Sequence, residues 1–188
     1  MKLPIYAYGH PVLRKKCEAV EQNLPELNAF IEDMWETMYH TRGIGLAAPQ
    51  VGKALRIFVA DTEQLNDDED DKDNFIGIKK VFINPVKVKE AGEPWNYEEG
   101  CLSIPEIRGK VSRPPQIRLT YFDENFVQHD DVFDGMNARV IQHEYDHIEG
   151  FLFTDHLSAL KKQLIKTKLE KIRKGEIKPK YKMVFGPK

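Results

Sequence analysis

The chain has little cysteine, no long apolar run and almost no net charge, and each shortage excludes a class of protein. Only Cys17 and Cys101 occur among 188 residues, so a disulfide framework is excluded and a reducing, cytoplasmic location is expected. No apolar run approaches the roughly 18 residues that a membrane span needs, and the first residues lack the apolar stretch of a signal peptide. Its 28 basic and 30 acidic residues give no whole-chain case for binding DNA or a membrane.

Apolar residues are plentiful, at 41% of the chain, and they predict one folded core in a single domain of residues 1–188. The even charge balance hides two opposite blocks. Seven acids and one lysine lie between Glu63 and Asp73, which predicts a solvated surface loop at about residues 63–74. Ten basic and two acidic residues lie between Lys161 and Lys182, which predicts a basic helix and tail at about residues 155–188.

Hydrophobic periodicity predicts one helix, a β-rich middle and two further helices. Apolar residues at one-turn spacing mark the core-facing side of the first helix: Leu27, Phe30, Ile31, Met34, Trp35 and Met38. Short β-rich runs predict strands at residues 55–60, 80–84, 86–89, 116–122 and 126–133. The later helices are predicted from about Asp134 to Ile148, ended by Gly150, and from Thr154 or Asp155 onward. The predicted class is α+β, with antiparallel or mixed sheets packed around a central helix and with N-terminal and C-terminal helices.

The strongest chemical signal is an H-E-x-x-H pattern within residues 142–147, on the second predicted helix. His143 and His147 are four residues apart, so they share one helix face and can bind one metal ion. Glu144 follows directly and is close enough to reach a water molecule beside that metal. Because a catalytic zinc-type site uses three protein ligands, a third is needed. The candidates are Cys101, or a Glu or His further along the chain.

Two other segments combine small residues with groups that can bind a ligand. Residues 99–103 read E-G-C-L-S, and a thiolate suits zinc or ferrous iron, although a lone cysteine is more often a small buried apolar residue. Residues 43–50 read G-I-G-L-A-A-P-Q. They form either a tight connection after the first helix or a wall that a ligand backbone can approach, with Gln50 as an amide donor.

Together, the three segments resemble peptide deformylase, the family of metal hydrolases that removes the formyl group from new bacterial polypeptides. The family motifs are G-φ-G-φ-A-A-x-Q, E-G-C-φ-S and Q-H-E-φ-D-H, where φ is apolar. They match residues 43–50, 99–103 and 142–147 in the same order. Residues 8–14 also look like the family's N-terminal segment, and the resemblance extends to about Phe153. It implies release of formate from N-formylmethionyl nascent peptides in the cytoplasm.

The resemblance also implies a role for individual residues. Cys101, His143 and His147 would bind one divalent metal ion, with Fe2+ as the first choice and Zn2+ or Ni2+ as alternatives. Glu144 would act as general acid and base, while the Gln50 side chain and the Leu102 N–H would stabilise the oxyanion. Backbone groups of Ile44, Gly45 and Gly100 would hold the substrate peptide. Helical spacing puts Met136 and Val140 on the ligand face of their helix, where they either line a methionine pocket with Ile44 and Tyr97 or are ordinary core residues.

Several neighbouring residues are expected to support the site. Glu99 would pair with Arg113, as the equivalent residues do in the family, and Asp146 would support a ligand or a strand. Arg139 lies near the ligand face, where it either contacts substrate or forms a surface salt bridge, and we favour the salt bridge. Tyr145 is expected to pack away from the ligands.

The basic tail has two interpretations. Leu157, Leu160, Leu164 and Ile165 recur at helical spacing among lysines, which indicates a core-packed helix with a solvated charged face. The same charge could bind ribosomal RNA, as the resemblance implies for some family members. Residues 181–188 are either an edge strand or disordered.

Two other functions stay open at this point. One is a zinc endopeptidase, which would need a Glu or His ligand downstream of the H-E-x-x-H helix. The other is a structural metal site in a ribosome-associated binding module, which would need a fourth ligand to close it.

Overall fold

The computed structural model describes residues 1–65 and 75–187. Residues 66–74, which make up most of the predicted acidic loop, lie outside the described residues; Glu63 begins a short 3-10 turn, Glu63–Leu65. The α-helices of the described ranges are α1 (Leu27–His40), α2 (Gly135–Glu149) and α3 (Ala159–Arg173). Their strands are β1 (Ile5–Tyr6), β2 (Gly45–Ala47), β3 (Ile57–Asp61), β4 (Lys79–Ala91), β5 (Trp95–Cys101), β6 (Ile104–Arg113), β7 (Gln116–Phe122), β8 (Gln128–Asp134) and β9 (Met183–Val184).

The strands form three sheets, and α2 contacts the five-stranded one and the pair β5–β6. Strands β2, β3, β4, β7 and β8 make an antiparallel sheet in that order, β5 and β6 form a hairpin, and β1 pairs in parallel with β9. Helix α2 packs against β2, β3, β7 and β8, and α1 packs against β2 and β3. The α+β class with a central helix is therefore confirmed. None of the helices in the described ranges is long and apolar enough to cross a bilayer.

The two helices before the tail follow the sequence pattern closely. The apolar stripe of α1 is buried apart from the half-buried Trp35, which confirms its core-facing side. Helix α2 ends at Gly150, whose φ of 84° is left-handed and whose N–H bonds to the carbonyls of Asp146 and His147. A residue without a Cβ adopts this conformation at little cost, so Gly150 ends the helix where the sequence predicted.

The β-region departs from prediction in two places. Residues 80–84 and 86–89 belong to one strand, β4, which continues through Pro85 because its pairing with β7 is irregular between Ile83 and Val86. A proline is tolerated at such an irregularity since no ladder hydrogen bond is required of it. The hairpin of β5 and β6 was not predicted at all: β5 is largely exposed and polar, and Pro105 and Gly109 interrupt the pattern of β6.

The C-terminal region departs from prediction in its details. Residues Phe153–His156 form a 3-10 turn, and α3 begins later, at Ala159, after Ser158 accepts a hydrogen bond from the Lys161 N–H. The α3 face that packs on the core holds Ile165 and Ile172, while Leu160 and Leu164 are exposed. Of the two interpretations of residues 181–188, the edge strand is confirmed by β9.

Candidate metal centre and active site

Helix α2 and the β5–β6 hairpin bring together one thiol and two imidazoles. His143 and His147 lie one turn apart on α2, and Cys101 is the last residue of β5. One ligand atom from each residue lies within 4.8 Å of the others, and Cys101 Sγ is 3.2 Å from His147 Nε2. Within the described ranges, this group contains no fourth His, Cys, Asp or Glu.

The chemistry of these three donors fits a divalent transition metal. Burial alone would raise the pKa of Cys101, but the neighbouring His147 and His143 lower it to about 5, so the thiol ionises readily. Thiolate and imidazole are the donors that zinc and ferrous iron accept. Three ligands rather than four also leave room for a water molecule or a substrate, as in catalytic sites.

Glu144 lies beside the Cys101, His143 and His147 group, in the interior of the protein. Its side chain is buried, and among the described residues its Oε2 has no hydrogen-bond partner. Burial raises the pKa of Glu144 to about 7, although His143 and His147 oppose the rise. A Cβ added to Gly45 would collide with the Glu144 carboxylate, so the backbone of β2 lies directly against it. The carboxylate can therefore exchange a proton near neutral pH, next to a backbone that a ligand could approach.

Gln50 is fixed so that its amide nitrogen faces the thiol. The 3-10 turn Ala48–Val51 follows β2 and carries this side chain into the core. Gln50 Oε1 accepts a hydrogen bond from the Ala47 N–H at 2.8 Å, and its Nε2 donates to Cys101 Sγ at 3.3 Å. The first bond settles which end of the amide points into the site, so Gln50 presents a donor there.

Glu99 anchors the ring of His143 from behind. Its carboxylate lies 3.0 Å from His143 Nδ1 and accepts two hydrogen bonds from Arg113, at 2.7 and 3.0 Å. Burial opposes ionisation of Glu99, but His143 and Arg113 hold its pKa well below its usual range. A carboxylate on the far nitrogen orients a ligating imidazole and leaves Nε2 for the metal.

Arg139 completes this charge cluster, and the prediction of a surface salt bridge was wrong. The side chain is 3% exposed and donates to Glu99 at 3.0 Å. It also donates to the carbonyls of Val111 and Trp95, at 2.9 and 2.7 Å, and lies 4.4 Å from the Trp95 ring. These partners belong to the unpredicted hairpin, so the sequence pattern of α2 alone could not reveal them.

Asp146 and Tyr145, the other two residues expected to support the site, contact different partners. Asp146 accepts from Arg113 at 2.7 Å and contacts His156 at 2.8 Å, so it reaches the ligands through the arginine. Tyr145 points away from the ligands, and its hydroxyl contacts Arg56 and the Lys87 N–H.

A cleft of about 660 Å³ opens onto Glu144, Cys101 and His143. All the residues that were expected to bind substrate line it, namely Ile44, Gly45, Tyr97, Gly100, Met136 and Val140. Gln50 and Leu102 also line it, whereas His147 lies behind, 1% exposed. Three tail residues, Pro179, Lys180 and Tyr181, form part of the wall and were not predicted. The sequence carried no signal for them, since the tail lies far along the chain from the cysteine motif.

The sequence and the fold both match known proteins. A family model described as polypeptide deformylase matches residues 2–163. The peptide deformylase of Christiangramia forsetii is 53% identical, over 98% of this chain and 96% of that protein, and the one from Flavobacterium johnsoniae is 52% identical, over 99% and 97%. The structure resembles the peptide deformylase of Thermus thermophilus with a TM-score of 0.81 and 35% identity, over 93% and 99% of the two chains. It resembles the Legionella pneumophila peptide deformylase with a TM-score of 0.80 and 35% identity, over 95% and 100%.

Proposed function

The chain belongs to the polypeptide deformylase family, and on that premise we propose how its own residues perform the family reaction. It is a metal-dependent hydrolase that removes the N-formyl group from formylmethionyl peptides and releases formate. The observation that carries the assignment of roles is the meeting of Cys101, His143 and His147 beside Glu144 and Gln50. A zinc endopeptidase is not favoured, because the third donor is a thiol upstream of the helix.

Cys101, His143 and His147 would hold the metal. When bound, the metal supplies a Lewis acid that lowers the pKa of water to about 7. We place Fe2+ first, with Zn2+ or Ni2+ as alternatives, because one thiolate and two imidazoles suit all three ions. The reducing compartment that such a thiolate needs supports a cytoplasmic location, where formylated nascent chains emerge.

Glu144 moves the proton in this scheme. It takes a proton from the water that attacks the formyl carbon and returns it to the leaving amine, a role supported by its pKa of about 7. The Gln50 Nε2 and the Leu102 N–H donate to the developing oxyanion, and loss of one such donor typically costs ~10²–10³ in turnover. Backbone groups of Ile44, Gly45 and Gly100 hold the peptide as an added strand.

The methionine side chain of the substrate fits the apolar part of the cleft. Met136 and Val140 lie one turn apart on α2, upstream of the ligands, and Ile44 and Tyr97 face the same cleft. Val140 is 5% exposed and Tyr97 40% exposed, so the apolar wall runs from the interior to the mouth. This decrease in solvent exposure from the mouth to the interior suits a substrate side chain that enters from solvent and becomes buried.

The decisive experiment measures formate release from formyl-Met-Ala-Ser by protein made without oxygen and supplied with iron or nickel. Glu144→Gln should lower turnover by ~10²–10⁴, because it removes the proton carrier. Glu149→Gln is the matched control on the same helix: Glu149 pairs with Arg56 instead, and turnover should stay near that of the native chain. No formate with metal bound would refute the proposal, and cleavage of an unformylated peptide would then support the endopeptidase.

We also propose that residues 1–188 act as one domain whose basic helix α3 contacts ribosomal RNA. Pairing of β1 with β9 joins the two ends of the chain, which supports a single unit. Lys166, Lys168 and Lys171 are exposed on α3, where they can meet phosphates.

A charge-reversal experiment tests this contact. Changing Lys166, Lys168 and Lys171 to Glu should lower ribosome cosedimentation at low salt by at least about tenfold, since fewer counterions are released. The matched control reverses three exposed lysines elsewhere, Lys15, Lys89 and Lys110, with the same change in net charge. Equal losses in both variants would show that α3 has no special part in binding.

A further inference from the structure

The turn that carries the Leu102 N–H is only two residues long. Leu102 and Ser103 join β5 to β6, directly after Cys101. Turns at the tips of hairpins are more mobile than the strands they connect. A hydrogen-bond donor for an oxyanion must nevertheless be held in place before reaction, because its contribution depends on where it points. Something outside the hairpin must therefore fix this turn.

The two ends of the chain hold both carbonyls of the turn. The Tyr8 N–H donates to the Ser103 carbonyl at 2.8 Å. The Tyr181 hydroxyl donates to the Leu102 carbonyl at 2.7 Å. Tyr181 and the Leu102 side chain also pack against the same core cluster. The turn is thus bonded from one side by the segment after β1 and from the other by the segment before β9.

The position of Tyr181 is determined by hydrogen-bonded backbone upstream and downstream of it. Upstream, α3 ends at Arg173 and is followed by Gly175 in the left-handed conformation. The Gly175 N–H donates to the Ile172 carbonyl and the Glu176 N–H to the Lys171 carbonyl. This pattern is a common helix stop that redirects the chain.

Downstream, β9 is paired with β1, so that Met183 lies opposite Ile5 and Val184 opposite Tyr6. The Ile5 N–H also donates to the Lys182 carbonyl at 2.9 Å. Tyr181 is therefore directly followed by a residue whose backbone is hydrogen-bonded to β1. This pairing, rather than a flexible tail, fixes the direction in which the phenol of Tyr181 points towards Leu102.

We propose that Tyr181 is a positioning residue for deformylation: its hydroxyl holds the Leu102 carbonyl so that the N–H of the same residue stays aimed at the oxyanion. Fixing the carbonyl restricts rotation of the residue to which the N–H belongs. Burial raises the pKa of the Tyr181 phenol, so the donor keeps its proton at neutral pH. The inference rests on the role proposed above for Leu102.

The test compares Tyr181→Phe with the native chain in three measurements. Turnover should fall about tenfold with KM within about twofold, less than the ~10²–10³ expected when a donor is lost outright, because the N–H is loosened and not removed. Bound metal should stay the same. Amide hydrogen exchange of the peptide that spans residues 101–104 should become faster, since the turn opens more often.

Tyr6→Phe is the matched control, because it removes a phenol hydroxyl from β1, the strand that pairs with β9 just after Tyr181. Tyr6 pairs with Val184, and its ring lies against His10. Its turnover and the exchange of residues 101–104 should stay at the native level.

The outcomes separate this inference from the function on which it depends. If the native chain released no formate, the proposed function itself would be refuted. An active native chain with unchanged turnover and exchange in Tyr181→Phe would overturn the positioning role alone. A turnover loss matched by a loss of bound metal or by an equal change in Tyr6→Phe would also overturn it, because the effect would then be one of general structure.

Discussion

Helices α2 and α3 are each fifteen residues long, yet they have opposite relations to the protein interior. Ten residues of α2 are buried, including Arg139, Gln142, His143, Glu144 and His147. Only Ile165 and Ile172 are buried on α3, whereas its Leu160 and Leu164 are 68% and 69% exposed. The more polar side chains are inside and two leucines are outside, so hydropathy does not decide burial here.

The difference lies in the partners that each helix finds. On α2, the Gln142 amide donates to the Pro114 carbonyl at 2.9 Å, and Arg139 and His143 meet Glu99. Hydrogen bonds offset the cost of burying polar groups, and the β5–β6 hairpin and the loop after it supply them to Arg139, Gln142 and His143. Among the described residues, Glu144 Oε2 and His147 Nδ1 have no such partner, and both belong to the candidate metal centre. Helix α3 packs on β6 along one face only, so its other residues meet solvent whatever their type.

The largest effect should come from removing a charged partner on α2. Arg139→Met leaves Glu99 short of one buried cation and two carbonyls short of a donor, so unfolding free energy should fall by about 3–5 kcal/mol in chemical denaturation. The matched control is Arg118→Met, whose ion pair with Asp130 is exposed, and its denaturation curve should barely move. Equal denaturation curves for the two variants would contradict the contrast between α2 and the surface, because loss of a buried ion pair would then lower the unfolding free energy no more than loss of an exposed one.

A smaller effect is expected from the carboxylate behind His143. Glu99→Gln keeps the shape but removes the charge that orients the imidazole, and metal affinity should fall about 10–100-fold in a chelator competition. Glu98→Gln changes the adjacent residue of β5, which pairs with Arg108 at the surface, and should leave metal affinity as it is. Full metal retention by the first variant would show that Glu99 only fills space.

The smallest effect should follow changes on the exposed face of α3. Replacing Leu160 and Leu164 with Gln should change the unfolding free energy by no more than about 0.5 kcal/mol each, because both side chains are already in water. Ile172→Ala on the packed face of the same helix should cost about 2–5 kcal/mol. If the leucine variants were as destabilised as Ile172→Ala, both faces of α3 would have to be packed.

Local features of the fold were predictable because their causes are local. The stripe of α1, the end of α2 at Gly150 and strand β7 follow from periodicity and from glycine's freedom at left-handed φ. The β5–β6 hairpin was missed because its strands are held by mutual pairing and by Arg139 and Arg113, neither of which leaves a periodic pattern. The late start of α3 depends on the cap at Ser158, a weak signal among several polar residues.

The sequence by itself determined the candidate metal donors on α2, since a spacing of four residues places His143 and His147 on one helix face and Glu144 beside them. It also determined, through three motifs in order, which family the chain resembles. Only the tertiary structure decided that Arg139 is buried against Glu99 and that Tyr181 reaches Leu102 across 79 residues of chain. Contacts between residues this far apart depend on how sheets and chain ends pack, and no local periodicity encodes that packing.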